Sequence, residues 1–200
     1  MSNSIWFGTL IKEEVLGIDL KPLIDYVYQK KNELPNSKSG SHVDAWQSPN
    51  LQDNLIFQPL MDKIFENADD MVDICKVRRD MNLVISNLWA NVNPLGGSNK
   101  PHNHPGAIFS GVFYLQCPDK SGDIHFIHPA VNQSYHFNEY TITEYNNVNA
   151  GTKSITPKPG MLLIFPGYQN HYEGANISDK DRIVIGFNMI LTDINRKTNT

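Results

Sequence analysis

The sequence predicts a mainly β domain, a β-sandwich or jelly-roll barrel, with helices packed on one face. Three observations carry this. Two stretches of helical apolar spacing come early, at residues 20–31 and 55–77. From residue 82 the pattern changes to short apolar and β-branched segments separated by Gly, Pro, Asn and Ser clusters. No repeat or linker divides the 200 residues, a length that one hydrophobic core can serve.

Residues 4–11, with Trp6 and Phe7, read as a first strand. The first helix carries Leu20, Leu23, Ile24, Tyr26, Val27 and Tyr28, with Asp19 as a cap or Pro22 marking its first turn. Residues 32–53 are polar and turn-rich around Trp46, and read as a long loop with the potential to act as a lid. In the second helix Ile56, Leu60, Ile64, Ala68, Met71, Val72 and Cys75 form one apolar stripe, which places Cys75 in the core. Strands are then expected at 82–93, along the run into 110–115, and at 123–128, 140–145, 161–167 and 182–191, with a polar tail to Thr200.

Composition narrows the function classes. The chain is 40% hydrophobic and 19% charged, an ordinary globular balance. A formal net charge of -4 argues against nucleic acid or an anionic membrane as the main partner, since both need a basic footprint. Cys75 and Cys117 are too few and wrongly spaced for a disulfide framework or a zinc site, and read as reduced thiols. The first residues lack the basic and apolar regions of a signal peptide, and no apolar run approaches the ~18 residues of a membrane span. A soluble cytoplasmic protein is expected, or one in the host cytoplasm if phage-encoded. The oligomeric state is open, a homodimer included.

The chemistry concentrates at residues 100–115. His102 and His104 sit two apart at the head of an apolar segment, and in an extended strand both imidazoles would project from one face. Two such ligands need a third, and His171, just after the apolar strand ending in Phe165 and Pro166, is the candidate. Three protein ligands leave a metal ion open positions for catalysis. Each histidine is also plausible as an ordinary hydrogen-bonded polar residue. His42, His125, His128 and His136 are left to surface or supporting roles, with His125 and His128 as substitute ligands.

Residues 82–191 also resemble a known family. The motifs are His102-Asn103-His104-Pro105, Ser110-Gly111-Val112-Phe113-Tyr114-Leu115, Ser121-Gly122 through Phe126, Pro157 and Gly160 through Phe165-Pro166, then His171 and Arg182. In this order they resemble the 2-oxoglutarate- and Fe(II)-dependent oxygenases, which include prolyl 4-hydroxylases. The nearest likeness is a bacterial and bacteriophage group with a His-x-His-Pro motif. The resemblance implies a double-stranded β-helix (jelly-roll) with the N-terminal helices on one face, in a single domain of residues 1–200. Residues 1–80 would be the helical support and 82–191 the catalytic core.

The same resemblance implies Fe(II), 2-oxoglutarate as co-substrate, and O2. His102 and His171 correspond to the family's two histidines. The position two after the first is usually a carboxylate and here is His104, so the triad is three histidines, or is completed by a carboxylate such as Asp123, or leaves His104 unbound; His104 as ligand is the favoured reading. Arg182 matches the basic residue that holds the far carboxylate of 2-oxoglutarate, a task suited to the guanidinium fork. Its bland alternative is an ion pair with Asp179 or Asp181. Tyr114 matches a tyrosine on the same carboxylate. Asn91, on one strand face with Trp89 and Asn93, is a further candidate contact to the co-substrate or a metal-bound water, and Ser110 and Asn188 are weaker ones of the same kind. The function implied is hydroxylation of an unactivated C–H bond in a peptidyl proline or other protein side chain. Two other functions stand beside it: a three-histidine cupin-type dioxygenase without 2-oxoglutarate, and a non-catalytic jelly-roll binding or virion protein.

Overall fold

The computed structural model describes residues 8–37, 42–130 and 140–193. The elements are β1 (Lys12–Val15), α1 (Lys21–Glu33), β2 (His42–Val43), β3 (Trp46–Gln47), α2 (Gln58–Cys75), β4 (Met81–Asn93) and β5 (Ser98–Asn99). After them come β6 (Phe109–Gln116), β7 (Ile124–Ile127), β8 (Thr152–Ile155), β9 (Met161–Pro166), β10 (His171–Glu173) and β11 (Arg182–Asp193). Six strands form an antiparallel sheet in the order β1-β9-β6-β11-β4-β3. A smaller sheet runs β10-β7-β8, and β2 pairs with β5. This is the double-stranded β-helix, mainly β, with both helices on one face.

Strand alternation divides the core in two. On β11, Ile183, Ile185, Phe187 and Met189 face the helices together with Phe113, Leu115, Leu162 and Ile164. The helices answer with Leu23 and Val27 from α1 and Leu60, Ile64, Ala68 and Met71 from α2. The other face of the same strands carries Val112, Tyr114, Leu163, Phe165 and Val184, which meet Ile124 and Phe126 of the small sheet. Because large-sheet strands are buried on both faces, they read as continuous apolar runs rather than clean alternation.

The helix ends follow local chemistry. Pro22 and Pro59 sit in first turns, where a missing N–H costs nothing. Leu20 occupies the cap position of α1 without a side-chain cap; Asp19 instead accepts from the Lys21 N–H at 3.1 Å. Lys76 closes α2 in the left-handed region at φ 51°, and the Val77 N–H returns to the Val72 carbonyl at 3.0 Å.

Several expectations are corrected. Of the first expected strand, residues 4–7 lie outside the described residues and 8–11 are irregular; the strand is Lys12–Val15, fixed by pairing with β9. The 32–53 stretch is not a free loop. Trp46 is buried and donates to the Leu34 carbonyl at 2.7 Å, and Ser48 and Leu51 bond to the backbone of β4, so this stretch makes the sheet edge. Cys75 is exposed, because the buried stripe ends at Met71 and Val72 and the helix stops at Lys76 before covering it. Residues 140–145 form no strand. Asn146 and Asn149 close side-chain turns on the neighbouring backbone, and β8 takes the place beside β7. His102 and His104 precede β6 rather than lying on it.

Phe187 is fully buried between the large sheet and the helices. Replacing it with alanine should cost about 3–5 kcal/mol of unfolding free energy in urea titrations. A loss under about 1 kcal/mol would contradict the two-sided packing of β11.

Candidate metal centre and co-substrate cavity

Backbone pairing, not strand alternation, brings the three histidines together. His102 and His171 form an isolated antiparallel bridge, each N–H bonded to the other's carbonyl at 3.0 and 2.9 Å. The His104 N–H donates to the Gly167 carbonyl at 2.9 Å. Gly167 is required there, since a Cβ would stand 2.2 Å from the Ala107 carbonyl oxygen. The outcome is a cluster in which one nitrogen from each of His102, His104 and His171 lies within 4.8 Å of the others. Ring centroids are 4.4 Å apart for His102 and His171, and 5.2 Å from His104 to each.

Hydrogen bonds leave particular atoms available. His102 Nδ1 lies 2.7 Å from the Lys100 carbonyl and His171 Nδ1 lies 2.9 Å from the Gln169 carbonyl. Each therefore carries its proton on Nδ1 and presents a bare Nε2, the arrangement that orients a histidine for a metal. Burial, then the two neighbouring imidazoles, pushes the His104 pKa down to about 3. Burial also lowers His171 to about 4, against the opposing pull of the Gln169 carbonyl and of Glu173. Both rings are neutral near pH 7, as ligands must be. The donor set, three imidazoles, two of them with supported orientation, fits a divalent first-row metal such as Fe(II).

The histidines stand on the wall of a cavity of about 380 Å³ between the two sheets. Asn87, Trp89 and Asn91 of β4 line it, with Val184, Gly186 and Asn188 of β11 opposite in register. Gly186 makes room for Trp89, because a Cβ there would lie 2.6 Å from the indole. Glu173 of β10 also faces the cavity, on the same side of its strand as His171.

The expected co-substrate contacts divide. Arg182 and Tyr114 are both fully buried and lie outside the cavity lining, behind Glu173. Arg182 does not pair with Asp179 or Asp181; Asp181 is held by Tyr28 and Lys31. Its Nη1 donates to the Ser121 and Gly174 carbonyls, and its Nη2 stands 3.0 Å from Glu173 Oε2 in an ion pair without hydrogen-bond alignment. Gly122, at φ 90°, permits this, since a Cβ would meet both Nη1 and the Gly174 carbonyl. The Tyr114 hydroxyl donates to Glu173 Oε1 at 3.0 Å, and burial, followed by that carboxylate, raises its pKa so that it stays a donor. Asn91 lines the cavity; Ser110 does not, but its hydroxyl donates to Asn188 Oδ1 at 2.7 Å and so orients a lining residue.

The substitute ligands fall elsewhere. His125 Nδ1 meets the Ser154 hydroxyl at 2.7 Å and its ring stacks on Tyr172. His128 accepts from the Ala130 N–H, and Asp123 is not part of the cluster. Burial pushes the Cys117 thiol up to about 12, which makes it inert. His136 and the side chain of His42 lie outside what is described. Glu173 is the functional candidate that sequence reading missed. Its signal was position: two after His171, it had to share that histidine's face.

With this geometry in place, the comparisons with known proteins identify the family. A family model described as "Putative 2OG-Fe(II) oxygenase" matches residues 87–188, just over half of the chain, and the chain belongs to that family of oxidoreductases. Its cofactor is Fe(II), with 2-oxoglutarate and O2 as co-substrates. Among solved structures, the chain is similar to the α-ketoglutarate-dependent epimerase SnoN from nogalamycin biosynthesis, at 14% identity and TM-score 0.61 over 90% of this chain and 78% of that one. It is similar to a Pseudomonas putida prolyl-4-hydroxylase at 13% identity and TM-score 0.56, covering 90% and 91%. It is similar also to HygX from Streptomyces hygroscopicus, crystallised with nickel, 2-oxoglutarate and hygromycin B, at 10% identity and TM-score 0.58, covering 91% and 82%. At these identities the likeness establishes the fold. A search of curated proteins finds no match. No helix among the described residues is long and apolar enough to cross a membrane.

Two predictions follow from the electrostatics. In the unfolded chain both His104 and His171 titrate near 6.5, whereas in the fold they take protons only near about 3 and about 4. Stability is therefore complete above the unfolded value and is lost as pH falls through the folded ones, because the unfolded chain then binds more protons. Thermal melts of the metal-free protein should show this decline, and His104→Gln should flatten it. Arg182→Met leaves the Glu173 carboxylate buried and unpaired, and should cost about 3–5 kcal/mol in chemical denaturation.

Proposed function

We propose that the chain binds Fe(II) through His102, His104 and His171 and uses 2-oxoglutarate and O2 to hydroxylate an unactivated C–H bond. The observation that carries this reading is the convergence of three imidazoles, two with their second nitrogen held by backbone carbonyls, on a cavity between the sheets. The bound iron and keto acid supply the oxidation: one oxygen atom of O2 enters the substrate as hydroxyl, and the other leaves with succinate as CO2 is released.

The chain's own residues orient and exclude. The aromatic and aliphatic walls, Phe165, Val112 and Val184, keep bulk water from the reacting centre. Trp89 lies 6.0 Å from the His104 ring and gives the substrate an apolar surface beside the metal. Gln47, Asn87, Asn91, Asn99, Asn103 and Asn188 line much of the rest with uncharged amides, apart from the Glu173 carboxylate. Such a wall suits a neutral, hydrogen-bonding substrate, and a peptidyl proline or another side chain within a peptide meets that description. The fold shared with a prolyl-4-hydroxylase supports the same choice. No basic groove lines the cavity, so a peptide is favoured over nucleic acid.

The test is an anaerobic titration with Fe(II) and 2-oxoglutarate, reading the weak visible charge-transfer band of a metal-chelated keto acid. Wild type should develop the band, and His171→Ala should lose it. His104→Ala should weaken metal binding by more than the roughly 100-fold typical of losing an outer hydrogen-bond partner. No band at saturating concentrations would overturn the reading. Metal binding without any keto-acid signal would point to the three-histidine dioxygenase that uses no 2-oxoglutarate.

A further inference from the structure

We infer that Glu173 occupies the seat of the co-substrate's far carboxylate and competes with the keto acid for Arg182 and Tyr114. This rests on the 2-oxoglutarate reading above and deepens it. Arg182 and Tyr114 converge on one carboxylate, with the Tyr114 hydroxyl on Oε1 and the guanidinium beside Oε2. That carboxylate belongs to the chain itself. It is Glu173, not Arg182 or Tyr114, that faces the cavity, so any ligand entering from the histidines meets the glutamate first.

The fit of Glu173 in this seat is incomplete. Arg182 Nε and Nη2 and Glu173 Oε2 are buried without a hydrogen-bond partner among the described residues, as are both amide atoms of neighbouring Asn93. A buried ion pair kept only for structure needs good geometry and satisfied lone pairs to offset its desolvation. Here the Nε–Nη2 edge of the guanidinium, the edge that suits a bidentate carboxylate, makes no hydrogen bond, although Glu173 Oε2 stands 3.0 Å from Nη2. Seating a second carboxylate beside Glu173 would put two anions on one cation in a dry site, which the Coulomb penalty forbids. The glutamate side chain therefore swings away when 2-oxoglutarate seats. Its strand is three residues long, and its neighbours on the cavity side are the histidine site and open volume. Glu173 thus sets both the affinity for the keto acid and the chain's preference for a far carboxylate.

The experiment compares 2-oxoglutarate with 2-oxobutyrate, which lacks that carboxylate, by anaerobic calorimetry on the Mn(II)-loaded protein. Wild type should bind the two within about threefold, because displacing Glu173 offsets the gain at Arg182. Glu173→Gln keeps the acceptor for Tyr114 and the side-chain volume, and Glu173→Ala empties the seat. Both should bind 2-oxoglutarate at least about tenfold more tightly and leave 2-oxobutyrate unchanged. Melting curves with and without 2-oxoglutarate accompany the titrations, and the ligand should raise Tm further in Glu173→Gln than in wild type. A preference of about 100-fold for 2-oxoglutarate in wild type, a measurement that needs no variant, overturns the inference. So do variants in which its affinity is unchanged or weaker, or in which 2-oxobutyrate tightens equally. Binding of neither keto acid by any of the three metal-loaded proteins overturns the 2-oxoglutarate reading itself, and the inference with it.

Discussion

The two-sided burial of the large sheet is the constraint from which the rest follows. Strands β4, β6, β9 and β11 each give one set of alternate residues to the helices and the other set to the cavity. The helix-side set is uniformly apolar, through Phe113, Leu162, Ile185 and Phe187. The cavity-side set changes character along the strand. Gly186 and Val112 lie midway, Asn188 and Ser110 toward one end, and Val184 with Tyr114, then Arg182, toward the other. A shift of one residue in register would exchange these sets and place Arg182 among the helices. The helix-side packing therefore also holds the polar groups on the inner face.

The small sheet brings the other half of the site. β10 is only three residues long, yet it carries His171 and Glu173 on one face, and its bridge to His102 ties the segment before β6 to the opposite sheet. Its backbone joins the cluster and the carboxylate seat, which is why residues far apart in sequence act on one cavity. Gly167 and Gly122 allow the close approaches on either side of it.

The fold was legible because the apolar runs of β9 and β11 and the helical periods before them are long and consistent. The histidines could be named because their type and spacing are chemical signals in themselves. The expected reason was only partly sound: His102 and His104 meet through hydrogen bonds to His171 and Gly167, a tertiary arrangement invisible to alternation. Cys75 was misplaced because periodicity cannot show where a helix outruns its cover. Residues 140–145 have strand-forming side chains, but neighbouring asparagines offered the backbone a local alternative. Glu173 escaped notice because a carboxylate in an unremarkable tripeptide gains meaning only once Arg182 and Tyr114 are seen to converge on it.

The charge balance of the cavity links the two departures of this chain. The oxygenases it resembles usually place one carboxylate on the metal and one cation at the clamp. Here the proposed metal face is three imidazoles, and a carboxylate stands beside the buried arginine, as Glu173 next to Arg182. The side-chain charge is the same in both arrangements, but its distribution differs. On that reading a divalent ion held by three imidazoles would keep its full charge, which would strengthen its hold on an anionic chelating keto acid. An Arg182 already partnered by Glu173 would hold the far end of that acid more weakly. The binding free energy for the co-substrate would thereby move from its tail toward its head, where the chemistry occurs.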